Sequence, residues 1–262
     1  MTDELLDGWI VIPLLVSAVL YCIGSVKAWR GARALAYFTG WLTLALALLS
    51  PFHSLAEHLF TWHMVEHEII MAVSAPLLVL GRPIGVLLWG LPHKVRLSLT
   101  HATRHPVIQR CWSWLTRPLN ATLIHAVAIW VWHAPPLFDA AVTHEVLHRL
   151  QHLSFLVSAL LFWYSLLRTS RSSGEALWHL FFTMLHMSLL GALLALSPRV
   201  LYLAQTAHSL AFGLTPLEDQ QLAGIVMWVP AGTIYAGAAL FFAARWIRPS
   251  KGRQFVRSGS QR

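Results

Sequence analysis

Charge is scarce in this sequence: 19 Lys and Arg and 11 Asp and Glu make up only 11% of 262 residues, while 56% are hydrophobic. A soluble domain carries about a quarter charged residues, so this chain cannot cover a globular surface in water. Cysteine is nearly absent too. Cys22 and Cys111 form neither a CxxC pair nor a disulfide framework, so metal chemistry here has to rest on something other than thiolate. The net charge of +8 does not make a nucleic-acid binder, because the basic residues sit between apolar runs and not on one soluble face. They are placed to meet lipid headgroups. Basic residues are missing from the first seven positions, where Asp3, Glu4 and Asp7 stand instead, so the first apolar run does not read as a cleaved signal peptide and is expected to stay as a helix.

What is abundant is apolar sequence in runs near the ~20 residues that cross a bilayer. Candidates fall at 9–26, 35–51, 59–80, 119–137, 146–167, 176–196 and 222–247. The reading is an all-α polytopic membrane protein with seven transmembrane helices in a single domain, 1–248. The alternate connections test that count. One side collects every Lys and Arg except Arg149 and Arg199, so the positive-inside rule sets the amino terminus outside and the carboxyl terminus in the cytoplasm. On that assignment 82–118 is a basic cytoplasmic connection, with 84–91 suited to the membrane surface, and 249–262 is a flexible basic tail. Trp9, Trp132, Trp163, Trp178 and Trp246 fall near span ends, as aromatic belts do.

Imidazole is the other abundance. Of 15 histidines, His53, His58, His63, His67, His133, His144, His148, His152 and His208 lie at or beyond the outer halves of the spans, and all acidic residues except Glu175 share that side. An outer end rich in imidazole and carboxylate, and poor in ammonium, suits a cation. The third span opens Thr61-Trp-His63-Met64-Val-Glu66-His67, with two histidines four apart on one helical face. Pro76 is expected to kink this helix further along. The fifth span carries His144, His148 and His152 at i, i+4 and i+8, of which His144 reads as a surface residue near the helix start. His133 precedes Pro135-Pro136, and the run to Asp139 can be a turn alone. Thr215-Pro216-x-Glu218 forms a capping box, so the seventh helix starts there, leaving Asp219, Gln220 and Met227 to face a site. Met184, His186 and Met187 sit near mid-membrane, a set that suits Cu(I). Interhelical hydrogen bonding is an equally available reading of any one of these groups.

His63-Met-Val-Glu66-His67 also matches H-x-x-E-H, in which two His bind zinc and Glu is a general base. An intramembrane metallohydrolase is therefore an alternative, although no third ligand follows at a diagnostic spacing. Haem held between opposed histidines is a further one, weakened because few pairs are placed to clamp one macrocycle.

Three motifs in order add a family resemblance. His63-Met64-x-x-His67 with Pro76 to Pro83, Asp139 with His148-x-x-x-His152, and Asp219-Gln220-x-x-x-Gly224-x-x-Met227-Trp228 together resemble the multi-span CtaG family of cytochrome c oxidase assembly factors. This is the polytopic type associated with caa-type oxidases. The resemblance implies a bacterial inner-membrane protein without enzymatic turnover, which helps an oxidase subunit mature by handling copper received from a donor protein. Glu66 departs from the family pattern, which carries Gln there, and its role is left open. The metal site expected from residues and resemblance together is His63, His67, His148 and His152. His133, Asp139, His144, His186, Asp219, Gln220 and Met227 would orient those imidazoles or relay the ion. A metal-free assembly scaffold is the remaining alternative.

Overall fold

The computed structural model describes residues 8–28, 31–49 and 51–247, all of whose regular structure is helical. Helices α1 (Gly8–Ala28) and α2 (Gly31–Leu49) lead to a short α3 (Pro51–His58) and to α4 (Phe60–Glu68). A π-helical stretch, Ile69–Ser74, joins α4 to α5 (Ala75–Leu80). Three short helices follow: α6 (Pro83–Gly90), α7 (His93–Thr103) and α8 (Pro106–Leu115). Then come α9 (Pro118–Trp132), α10 (Pro135–Thr143), α11 (Glu145–Tyr164), α12 (Ser173–Ala195) and α13 (Pro216–Ile247). The tail expected from 249 onward, and the acidic residues before Gly8, lie outside the described residues.

Among the described residues, six helical segments are long and apolar enough to cross a membrane: 8–26, 31–49, 60–80, 145–169, 173–195 and 216–247. The seventh expectation, a span at 119–137, falls on two helices: the chain turns by 76° between α9 and α10, so the count reaches seven if this bent pair is one span. The cause is local. Pro135 and Pro136 cannot continue the hydrogen-bond ladder of α9, and Ala134 before them takes an extended conformation (φ −63°, ψ 122°). The prolines open α10 instead.

Pro76 distorts its helix in a way the sequence does not specify. Its ring crowds the carbonyl of Ala72, and the turns just before it widen into the π-helical stretch. Widening leaves the Met71 carbonyl to accept the indole N–H of Trp163, 3.0 Å away on α11. This bond fixes α11 against the third span. Helices α12 and α13 form an antiparallel hairpin whose backbones touch at Gly191 and Gly224; a Cβ on Gly191 would lie 2.8 Å from the Gly224 carbonyl oxygen. Such small-residue contacts replace the hydrophobic drive that is missing between helices in lipid.

Lipid is the expected solvent for the outer faces. Along α1 the exposed residues include Trp9, Ile12, Val16, Val19 and Ile23, spaced by three or four. All of the segment 84–91 but Leu91 falls in α6, which rests on α1: a Cβ on Gly24 would strike the carbonyl group of Val86.

Candidate metal centre

Helix α4 begins without a cap of its own, since Leu59 offers no side-chain hydrogen bond. Asp219 on α13 supplies one from across the bundle. Its two carboxylate oxygens accept the N–H groups of Phe60 and Thr61, each at 2.9 Å, and the hydroxyls of Thr61 and Ser209, each at 2.7 Å. A carboxylate at a helix amino terminus satisfies orphan donors and complements the dipole, and here both oxygens are fully used. The first turn of α4, and with it His63, is thus positioned by a residue 158 positions along the chain from Thr61.

His63 and His67 project from α4 toward α11, where His148 and His152 meet them. His152 Nε2 stands 3.1 Å from His67 Nε2 and 3.3 Å from His148 Nε2. One ligand nitrogen from each of His63, His67 and His152 lies within 4.8 Å of the others, so this buried triad can hold a metal ion. Two imidazole nitrogens bound ~2.0 Å from one ion at tetrahedral or trigonal angles stand about 3.3–3.5 Å apart, close to the separations around His152. The burial fits the same use. Both nitrogens of His63 and Nδ1 of His67 are enclosed with no protein hydrogen-bond partner. Buried polar atoms of this kind are costly unless something else satisfies them.

His133, at the end of α9, completes the inner side of the cluster, its ring centroid 6.3 Å from that of His67. Its Nδ1 lies 2.7 Å from the Ile129 carbonyl oxygen. A carbonyl only accepts, so Nδ1 carries the proton and Nε2, buried and without a partner, keeps its lone pair. The backbone there is held in turn by the Tyr202 hydroxyl, which donates to the His133 carbonyl at 2.7 Å.

Two members of this neighbourhood escape the sequence-based list. His53 on α3 sits with its ring 5.8 Å from His148 and 6.1 Å from His152. Its Nδ1 is 2.9 Å from Glu66 Oε1, and the same oxygen lies 4.0 Å from His152 Nδ1. Glu66 thus hydrogen-bonds His53 and stands, beyond hydrogen-bond distance, beside the nitrogen of His152 opposite the one that faces His67. The signal for His53 is present in the sequence: it lies four residues before Glu57, on the same outer side as the other histidines.

The remaining candidates lie elsewhere. His144 is exposed at the start of α11, bonded to Thr143 and to the Ala140 carbonyl. Gln220 spends its amide on the loop before α13, accepting the Leu201 N–H at 2.6 Å and donating to the Arg199 carbonyl at 3.1 Å. His186 faces α9, where its Nδ1 accepts from the Trp130 indole at 3.3 Å. Around it lies a second, inner group of polar contacts, Thr122 with His179 at 3.0 Å and His125 with Ser158 at 2.9 Å. Met187 and Met227 are buried in the hydrophobic core. Asp139 is half-buried on α10, beside Phe138, which packs on both His63 and His133. The capping box at α13 is present, with the Thr215 N–H and hydroxyl both 2.7 Å from Glu218.

Fold and site together define a multi-pass helical membrane protein with a cluster of buried imidazoles at one end of its bundle. The model of the cytochrome c oxidase caa3 assembly factor family matches residues 16–249, and the chain belongs to that family. Curated relatives include an uncharacterized protein of Mycobacterium bovis, 26% identical over 150 residues, which is 54% of this chain and 22% of the relative. Another, an uncharacterized protein of Mycobacterium leprae, is 23% identical over 176 residues, covering 62% of this chain and 26% of the relative. The chain thus spans about a quarter of the length of these relatives. No solved structure matches it.

Proposed function

We propose that this protein assists oxidase assembly by holding copper in the histidine cluster and passing it to a maturing oxidase subunit. The observation that carries the reading is the convergence of His63, His67 and His152, from two helices, with nitrogen atoms left without protein partners. His63, His67 and His152 hold the ion, with His148 as the ligand toward the open end. His53, with about a quarter of its side chain exposed, stands at the mouth. Imidazole without thiolate accepts both oxidation states of copper, with thioether from Met favouring Cu(I), and a graded series of exposed to buried ligands allows release as well as capture. His133 and Glu66 orient the ring of imidazoles, and Asp219 acts through the placement of α4. His144, His186, Asp139, Gln220 and Met227 are left as relay positions outside the triad.

In this reading the chain is one transmembrane domain of seven spans in a bacterial inner membrane, counting α9 with α10. The amino terminus and the histidine cluster face outward, and the connection 82–118 and the tail from 249 face the cytoplasm. The charge asymmetry supports that orientation. Copper would come from a donor protein on the outer side, and the protein turns over no substrate.

Cells lacking the protein, supplied with variants expressed at equal levels, test the reading against hydrolysis. His67→Ala with His152→Ala is expected to abolish recovery of oxidase activity and of copper in the oxidase. Glu66→Gln is expected to support both, because the amide oxygen still accepts from His53. Loss of recovery with Glu66→Gln alone would instead favour a general base, as in a zinc hydrolase.

A further inference from the structure

The end of the bundle remote from the histidines gathers positive charge around two clefts. A cavity of ≈ 560 Å³ opens between the turn at Arg82, α8 and the end of α11, walled by Leu160, Leu161 and Trp112 with Arg82, Tyr164 and Arg168 at its head. A second cavity of ≈ 300 Å³ shares Arg82 and adds Arg33 and Ser25 from the first two helices. Arg82 and Arg168 thus line the first cavity together, and Arg82 and Arg33 the second. Among the described residues neither Arg82 nor Arg168 pairs with a carboxylate. Glu175, the acidic residue nearest in sequence, is turned instead to the Arg171 N–H at 2.6 Å.

The backbone holds this concentration of like charge in place. Arg82 takes a left-handed conformation (φ 52°, ψ 53°), the only non-glycine residue to do so among those described. Glycine would fit that position without strain, so the arginine stands there against local backbone preference. The preceding carbonyl, that of Gly81, is fixed by the Tyr21 hydroxyl at 3.0 Å. Arg168 is steadied by donating to the Val79 carbonyl at 3.3 Å, across the same cleft.

We propose that this cleft binds an anionic phospholipid, its phosphate between Arg82 and Arg168 and an acyl chain along the wall of α11. Charge complementarity selects the anion. The wall selects a lipid over a free ion, since Leu160 and Leu161 continue outward to Val157, an exposed apolar residue on the membrane-facing side of α11. Tyr164 and Trp112, whose rings meet edge to face at 5.3 Å, add to the cleft the amphipathic aromatic side chains that favour headgroup regions. A basic recess between membrane helices with an apolar tail groove is the shape that recognises such headgroups. The site is separate from the histidine cluster and stands whether or not copper is held there.

The test uses the full chain, purified in detergent and stripped of lipid, titrated with phosphatidylglycerol, with phosphatidylcholine of the same chains, and with inorganic phosphate. Binding is followed by native mass spectrometry and by the thermal midpoint. Saturable stabilisation by phosphatidylglycerol, well above that by phosphatidylcholine, is expected, with affinity falling roughly fivefold for each of Arg168→Gln and Arg82→Gly. Arg82→Gly suits the left-handed backbone, so a folding defect would not confuse it. Equal response to both lipids, or an unchanged response in both variants, would overturn the site. Stabilisation matched by inorganic phosphate alone would overturn the lipid and leave a simple anion site.

Discussion

At the scale of single residues, the same side-chain chemistry serves very different ends according to what faces it. Asp219 reads from the sequence as a site residue on the polar face of the last span, yet both its oxygens are committed to the start of α4. Spacing cannot show this, because Phe60 and Thr61 lie 159 and 158 positions away along the chain. The i, i+4 pairs His63/His67 and His148/His152 are legible, since helical periodicity alone sets each pair on one face. That His152 faces His67 across two helices is not in the spacing, although shared depth and the family resemblance group the two pairs in one site; the contact of Glu66 with His53 is in neither. Asp219→Ala removes an acceptor used by two backbone N–H groups and two hydroxyls, so a loss of about 1–3 kcal/mol is expected. A lower thermal midpoint in detergent, with weaker metal retention as α4 loosens, would bear this out. An unchanged midpoint would mean that the cap is dispensable.

At the scale of helices, the legible features are those written in local sequence. The apolar runs, the start of the last helix at its capping box and the disturbance near Pro76 are all of this kind. The break at Pro135 is written there too, but a hydropathy window averages across it and makes one span of two pieces. Which helices touch is not local information. Gly191 and Gly224 are ordinary glycines in a hydrophobic sequence until the hairpin of α12 and α13 brings their backbones together. Gly224→Val is expected to force that contact apart, since even a Cβ there would lie 2.9 Å from that of Leu194. Overpacking of this sort costs about 1–3 kcal/mol. Earlier unfolding in a detergent melt, with metal bound per folded molecule unchanged, is the expected result. A parallel loss of metal would tie this hairpin to the site more closely than the geometry does.

At the scale of the whole molecule, the buried histidine cluster and the arginine-lined clefts stand at opposite ends of one bundle. Histidine and carboxylate gather where α3, α4, α9 and α11 meet, and arginine gathers around Arg82 and Arg168. Charge counting across the connections reaches the same division without any structure, because membrane insertion itself sorts Lys and Arg. Cys111 in α8 and a cysteine introduced as Glu145→Cys, in a Cys22→Ser background, report the two ends. A membrane-impermeant thiol reagent on intact cells is expected to label position 145 and to reach Cys111 only after permeabilisation; the opposite pattern would invert the orientation. Oxidase assembly by copper transfer rests finally on whether the buried imidazoles hold copper. The most direct measurement is elemental analysis of detergent-purified protein after copper loading and removal of loose metal, beside a His67→Ala/His152→Ala variant of matched thermal stability. The expected result is copper retained by the native protein and lost from the variant. Equal copper in both, or none in the native protein, would contradict a copper-holding histidine cluster.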